Sequence, residues 1–105
     1  MIVCKSAAEL ARMRAANALV ADVLAELREM VRPGVTTADL DQLAERRVRA
    51  AGAVPAFKGY HGFPATLCTS VNEEVIHGIP SARALSGGDI VSIDIGVLLD
   101  GFYGD

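Results

Sequence analysis

The sequence predicts an α+β domain in which two amphipathic helices pack on an antiparallel sheet. Three observations carry this. Apolar residues recur at three- and four-residue spacing over 6–32 and again over 36–51. From residue 65 onward the apolar runs are short and β-branched. An Asp100-Gly101 pair then separates two such runs, the pattern of a tight hairpin. The chain has 105 residues, 51% of them apolar, which suits one small domain with its own core.

Residues 1–5 are short and apolar, a strand candidate. Ser6 followed by Glu9 reads as a capping box, in which side chain and backbone satisfy each other's unpaired groups at a helix start. Leu10, Met13, Asn17, Val20, Leu24, Leu27 and Val31 outline one face of the first helix, and Pro33-Gly34 ends it. Thr36 and Asp39 suit the first turn of the second helix. Leu40, Leu43, Ala44, Arg47 and Val48 outline its face, and Gly52 is its stop. Both helices read as scaffold.

The texture changes over 53–64 (AVPAFKGYHGFP), which holds two prolines, two glycines and three aromatic rings. Such loops form pocket walls, and they also fold their own rings onto a core; both readings stand. Residues 65–71 (ATLCTSV) have strand composition. Asn72-Glu73-Glu74 reads as a turn, His77 precedes Gly78 and Pro80, and 81–88 form a polar connection. Residues 89–105 read as two strands. There is no internal repeat and no low-complexity segment.

Thirteen acidic against ten basic residues, a net charge of −3, argue against a nucleic-acid-binding surface. Arg46, Arg47 and Arg49 form the densest basic run and read as a solvated helix face. Cys4 and Cys68 are too few for a disulfide scaffold and match no zinc spacing, so a reducing, cytoplasmic setting is expected. The start meets a charge at Lys5 and is not expected to be a signal peptide. No stretch reaches the roughly 20 apolar residues that span a membrane.

The last hairpin carries the chemistry. With Asp100-Gly101 as a two-residue turn, Leu99 faces Phe102, Leu98 faces Tyr103, Val97 faces Gly104 and Gly96 faces Asp105. Alternation then sends Val91, Ile93, Ile95 and Val97 to one face, and Ser92, Asp94 and Gly96 to the other. Asp105 joins Asp94 on that second face as a diagonal neighbour, roughly 7–8 Å away at the backbone. Carboxylates so close repel unless cations sit between them, and two divalent ions would use both as ligands. Gly96 is expected to leave the space beside them open. Acidic residues on the polar face of a hairpin are also commonly just solvated.

Three runs resemble type I methionine aminopeptidases. G-D-I-V-S-I-D-I-G-V-L-L-D-G-F-Y-G-D is similar to their metal-binding hairpin. N-E-E-V-I-H-G-I-P is similar to the signature around a substrate-contacting histidine, and G-Y-H-G-F-P-A-T-L-C-T-S-V-N to their pocket segment. P-G-V-T-T-A-D-L in the helical part fits as well, so the resemblance covers essentially the whole chain. It implies the first half of a pseudo-symmetric "pita-bread" fold, a site of two divalent ions (Co, Mn, Fe or Zn), and removal of the initiator methionine from nascent proteins, some of it at the ribosome. It further implies a cytoplasmic, monomeric enzyme without nucleic-acid or membrane partners. Carried over by position, Asp94 resembles the bidentate ligand to one metal and Asp105 the aspartate bridging both. His77 resembles the histidine that hydrogen-bonds substrate near the scissile amide. His61 resembles a pocket-rim histidine. Tyr60, Phe63, Cys68 and, more distantly, Phe57 resemble walls of the methionine pocket, where a thioether packs well against rings.

The family's other ligands, one histidine and two glutamates, have no counterpart in these 105 residues. The polypeptide alone is therefore expected to be an inactive fragment of such an enzyme. Two alternatives remain: another pita-bread peptidase of the X-Pro aminopeptidase or prolidase type, and a non-catalytic binding module of that fold. Intact Asp94 and Asp105 disfavour the second.

Overall fold

A computed structural model describes residues 6–72 and 78–105. Helix α1 (Ala7–Met30) starts at Ser6, whose hydroxyl accepts from Glu9 N while Glu9 accepts from Ser6 N. It ends three residues before Pro33, with Val31 already extended; Pro33 disfavours the helical region at Arg32, so the helix does not resume there. Helix α2 (Thr37–Ala50) repeats the device with Thr36 and Asp39. Its far end closes in a Schellman arrangement: Ala53 N donates to Val48 O and Gly52 N to Arg49 O.

The face of α1 differs from the expected one. The buried residues are Ala16, Leu19, Val20, Val23 and Leu27, whereas Leu10 and Leu24 are 40% and 37% exposed. The reason is the small residue at 16. The helix and the last strand come into backbone contact there, with Leu19, Val20, Val23 and Leu27 turned inward beside it and Leu10 and Leu24 turned outward. On α2, Leu40, Ala44 and Val48 are fully buried, as the spacing predicts.

Among the described residues the strands form two small antiparallel sheets rather than one. Strands β1 (Val54–Pro55), β4 (Val97–Leu99) and β5 (Phe102–Gly104) make a sheet in the order β1-β4-β5. Strands β2 (Leu67–Val71) and β3 (Val91–Ile95) pair with each other. The stretch expected to be one long strand before the turn is thus split at Gly96 into β3 and β4. The register across the turn is the expected one, Val97↔Gly104, Leu98↔Tyr103 and Leu99↔Phe102. Asp100 (φ 50°) and Gly101 (φ 83°) both lie in the left-handed region that a type I′ turn requires.

Leu27, Leu40, Leu67, Ile95 and Val97 fill the centre, between the two helices and the sheets. Complete burial of each contributes on the order of 1.5–3 kcal/mol. The polar segment after Pro80 folds back on the start of α2. The hydroxyl of Thr37 donates to Ser81 O, and Thr37 N and Ala38 N donate to the carbonyls of Arg83 and Ser81. These bonds occupy helix-end donors that would otherwise lack partners. At the open end of the β2–β3 ladder, Asn72 Oδ1 accepts from Ile90 N and Asn72 Nδ2 donates to Asp89. That bond, with a second from Ser86 N, holds the Asp89 carboxyl below its ordinary range.

Candidate active site

The β2–β3 pairing sets Cys68 directly across from Asp94. Cross-strand partners share a face, so thiol and carboxylate lie side by side on the surface turned away from the core. Burial, and after it the neighbouring Asp94 charge, pushes the Cys68 thiol up from its ordinary value. A thiol so placed stays neutral, as a wall rather than a nucleophile.

Asp105 arrives from the other sheet. Gly104 presses on α1 so closely that a Cβ there would meet Ala16 O at 2.6 Å and Ala16 C at 2.7 Å. One residue on, Asp105 N donates to Asn17 Oδ1 at 3.4 Å. Asn17, grouped with the apolar face by its spacing, is exposed and serves this contact instead.

The segment 56–66 crosses from one sheet to the other. Ala56 N donates to Gly96 O, extending the β1–β4 ladder by one residue. The Phe57 ring then lies on Gly96, where a Cβ would come within 2.9 Å of its Cε1. The space expected to be open beside the carboxylates is therefore filled by Phe57. A short 3-10 turn follows over Tyr60–Gly62. Gly59 (φ 85°) and Gly62 (φ 78°) flank its sharp bends, which side-chain-bearing residues adopt only at a cost. His61 is the middle residue of that turn.

A cleft of about 660 Å³ results, lined by Phe57, Tyr60, Phe63, Cys68, Asp94 and Asp105 together with Gly62, Pro64 and Ile79. It brings six of the eight sequence-derived site residues to one concavity. His77 lies outside the described residues, as does Cys4. Ile79 joins the lining without any signal in its spacing, although it sits in the G-I-P run. Its neighbour Gly78 packs on β2, with Thr69 N donating to Gly78 O and Gly78 N to Ser70 Oγ. A Cβ on Gly78 would collide with Thr69 O.

A model of metallopeptidase family M24 matches residues 11–105. The chain belongs to this family. It is 52% identical over 105 residues to methionine aminopeptidase 1 of Bacillus subtilis. It superposes on the crystal structure of methionine aminopeptidase from Rickettsia prowazekii with a TM-score of 0.94 at 44% identity. The chain is covered in full in both comparisons and spans 42% of the length of each relative. The X-Pro aminopeptidase of Thermotoga maritima shares the fold, with a TM-score of 0.73 at 21% identity over 96% of this chain and 27% of that one. The architecture is accordingly that of the pita-bread peptidases, two helices packed on antiparallel sheets.

M24 metallopeptidases work with bound metal. Asp94 and Asp105 are exposed carboxylates on one cleft, and oxygen donors of this kind suit divalent cations. Among the described residues no group of three or more His, Cys, Asp or Glu side chains comes together. The pair thus fits as part of a ligand set. No helix among the described residues is long and apolar enough to cross a membrane.

Proposed function

We propose that this chain forms the amino-terminal part of a methionine aminopeptidase, which removes the initiator methionine from nascent proteins in the cytoplasm. The observation that carries the reading is the cleft itself: two hairpin carboxylates share it with an aromatic, apolar wall of the chemistry a thioether side chain packs against.

Asp94 and Asp105 would hold two divalent ions (Mn, Fe, Co or Zn) together with ligands outside these 105 residues. When bound, such ions lower the pKa of water and polarise the scissile carbonyl. Phe57, Tyr60, Phe63 and Cys68 bind the methionine side chain and exclude water from it, with His61 at the rim. His77 donates a hydrogen bond near the scissile amide, a role that suits a group titrating near neutrality. The chain alone, with two carboxylates and an incomplete ligand set, does not turn over. The complete enzyme works as a monomer without nucleic-acid or membrane partners.

The test compares peptides. With Mn(II) or Co(II), the complete protein is expected to release methionine from Met-Ala-Ser and to leave X-Pro peptides intact. Cleavage of X-Pro peptides in preference would move the chain to the proline-specific branch, and robust turnover by the 105-residue polypeptide would refute the incomplete-site reading.

A further inference from the structure

Asp41 and Glu45 stand one helical turn apart on α2, outside the cleft lining, and hold both ends of the segment that forms its wall. Asp41 Oδ1 accepts from Thr66 N at 2.9 Å and from Leu67 N at 2.8 Å. Glu45 Oε1 accepts from Thr66 Oγ1 at 3.0 Å and from Lys58 Nζ. Between Lys58 and Thr66 lie Tyr60, Gly62, Phe63 and Pro64, all on the cleft. Immediately outside them lie Phe57, seated on Gly96, and Leu67, which precedes Cys68 and pairs with Ile95.

These contacts differ from ordinary surface ion pairs, which contribute little. Asp41 binds two consecutive backbone amides at the point where the wall becomes strand, and Thr66 is fully buried. Bonds from amides and hydroxyls to an ionised carboxylate are the strong, orienting kind. Lys58 above all, then Thr66 and Arg49, keep Glu45 ionised against the opposing effect of burial. Within the wall, backbone bonds such as Gly59 N to Phe63 O and Tyr60 N to Phe57 O close the loop on itself. They fix its shape; the strand pairing on either side anchors its ends, and the two carboxylates tie the stretch between them to α2.

We propose that Asp41 and Glu45 are positioning residues for the methionine pocket, fixing the 57–67 wall against Asp94 and thereby setting affinity for the substrate side chain rather than the rate of the chemical step. This rests on the aminopeptidase reading. A wall displaced by a fraction of an ångström contacts the thioether less well, whereas the carboxylates on β3 and after β5 remain where they are.

In the complete protein, Asp41→Asn, Glu45→Gln and Lys58→Met are each expected to raise KM for Met-Ala-Ser about tenfold. They should weaken inhibition by free methionine to the same degree and leave kcat within about threefold. Amide hydrogen exchange at Thr66 and Leu67 should quicken in the Asp41→Asn protein, and Lys58→Arg should keep KM near the wild-type value. If Asp41→Asn fails to fold, the two milder variants at partly exposed positions carry the comparison. Unchanged KM and methionine inhibition, or a fall in kcat with KM intact, overturns the inference. Absence of methionine release by the wild type overturns the aminopeptidase reading instead, and the exchange measurement, which needs no activity, tells the two failures apart.

Discussion

The ring of Phe57 lies against Gly96, at the junction where the β3 run leaves one sheet and β4 enters the other. The contact seats the start of the apolar wall on the hairpin that carries Asp94. Gly96→Ala would place a methyl 2.9 Å from the ring and 3.3 Å from the Ala56 side chain. Overpacking of this kind costs about 1–3 kcal/mol, and a ring that lines the cleft shifts the cleft wall when it yields. The substitution should therefore lower the urea midpoint and also weaken binding of methionine. In a Phe57→Ala background the clash with the ring is gone, and the Ala56 side chain at 3.3 Å remains. A double-mutant cycle should return a coupling of about 1 kcal/mol or more between positions 57 and 96. Simple additivity would show that the ring does not rest there.

Much of this was legible in the sequence. Capping pairs Ser6/Glu9 and Thr36/Asp39, and the Asp100-Gly101 turn, act through neighbours in the chain, so spacing alone reveals them and the turn transmits its register to Asp105. What spacing could not reveal depends on close approach between distant segments. Ala16 and Gly104 define the helix–strand contact because they are small, and an apolar-spacing rule gives most weight to large residues such as Leu10 and Leu24. β2 is buried at every position, without the alternation that assigns faces, so the Cys68–Asp94 pairing waits on knowledge of which strand lies beside it. Likewise Asp41 and Glu45 look like the solvated side of an amphipathic helix until the loop they hold is seen.

Acid should loosen the wall through Glu45. Its folded-state pKa is depressed, first by the Lys58 hydrogen bond. The stabilisation is complete above its ordinary value of 4.5, where the carboxylate is ionised in both folded and unfolded chains. It is lost as pH falls through the lower folded value, because the unfolded chain takes up the proton first. The stability difference between wild type and Glu45→Gln should be level above about pH 6 and shrink steadily below about 4.5. Asp89, also held low by Asn72, is common to both proteins and cancels from the difference. Urea midpoints from pH 3 to pH 7, values chosen to bracket about 4.5, give the measurement; a difference that grows on acidification contradicts the assignment.

Metal binding and folding should separate cleanly at Asp94 and Asp105. Both side chains are exposed on the cleft face, so replacing either by asparagine should change the metal-free stability of the complete protein by no more than about 0.5 kcal/mol. A ligand that binds only the folded state raises its stability in proportion to ln(1 + [L]/Kd). Mn(II) should accordingly raise the wild-type melting temperature, while Asp94→Asn and Asp105→Asn lose that rise. Gly104→Ala makes the contrast. Its methyl would meet backbone atoms of Ala16 at 2.6 and 2.7 Å, and backbone cannot swing aside as a ring can. β5 must lift from α1, taking Asp105 away from Asn17, so this variant should lose both metal-free stability and the Mn(II) response. If the two aspartate variants keep the full Mn(II) shift, the ions bind elsewhere and the hairpin carboxylates are merely solvated.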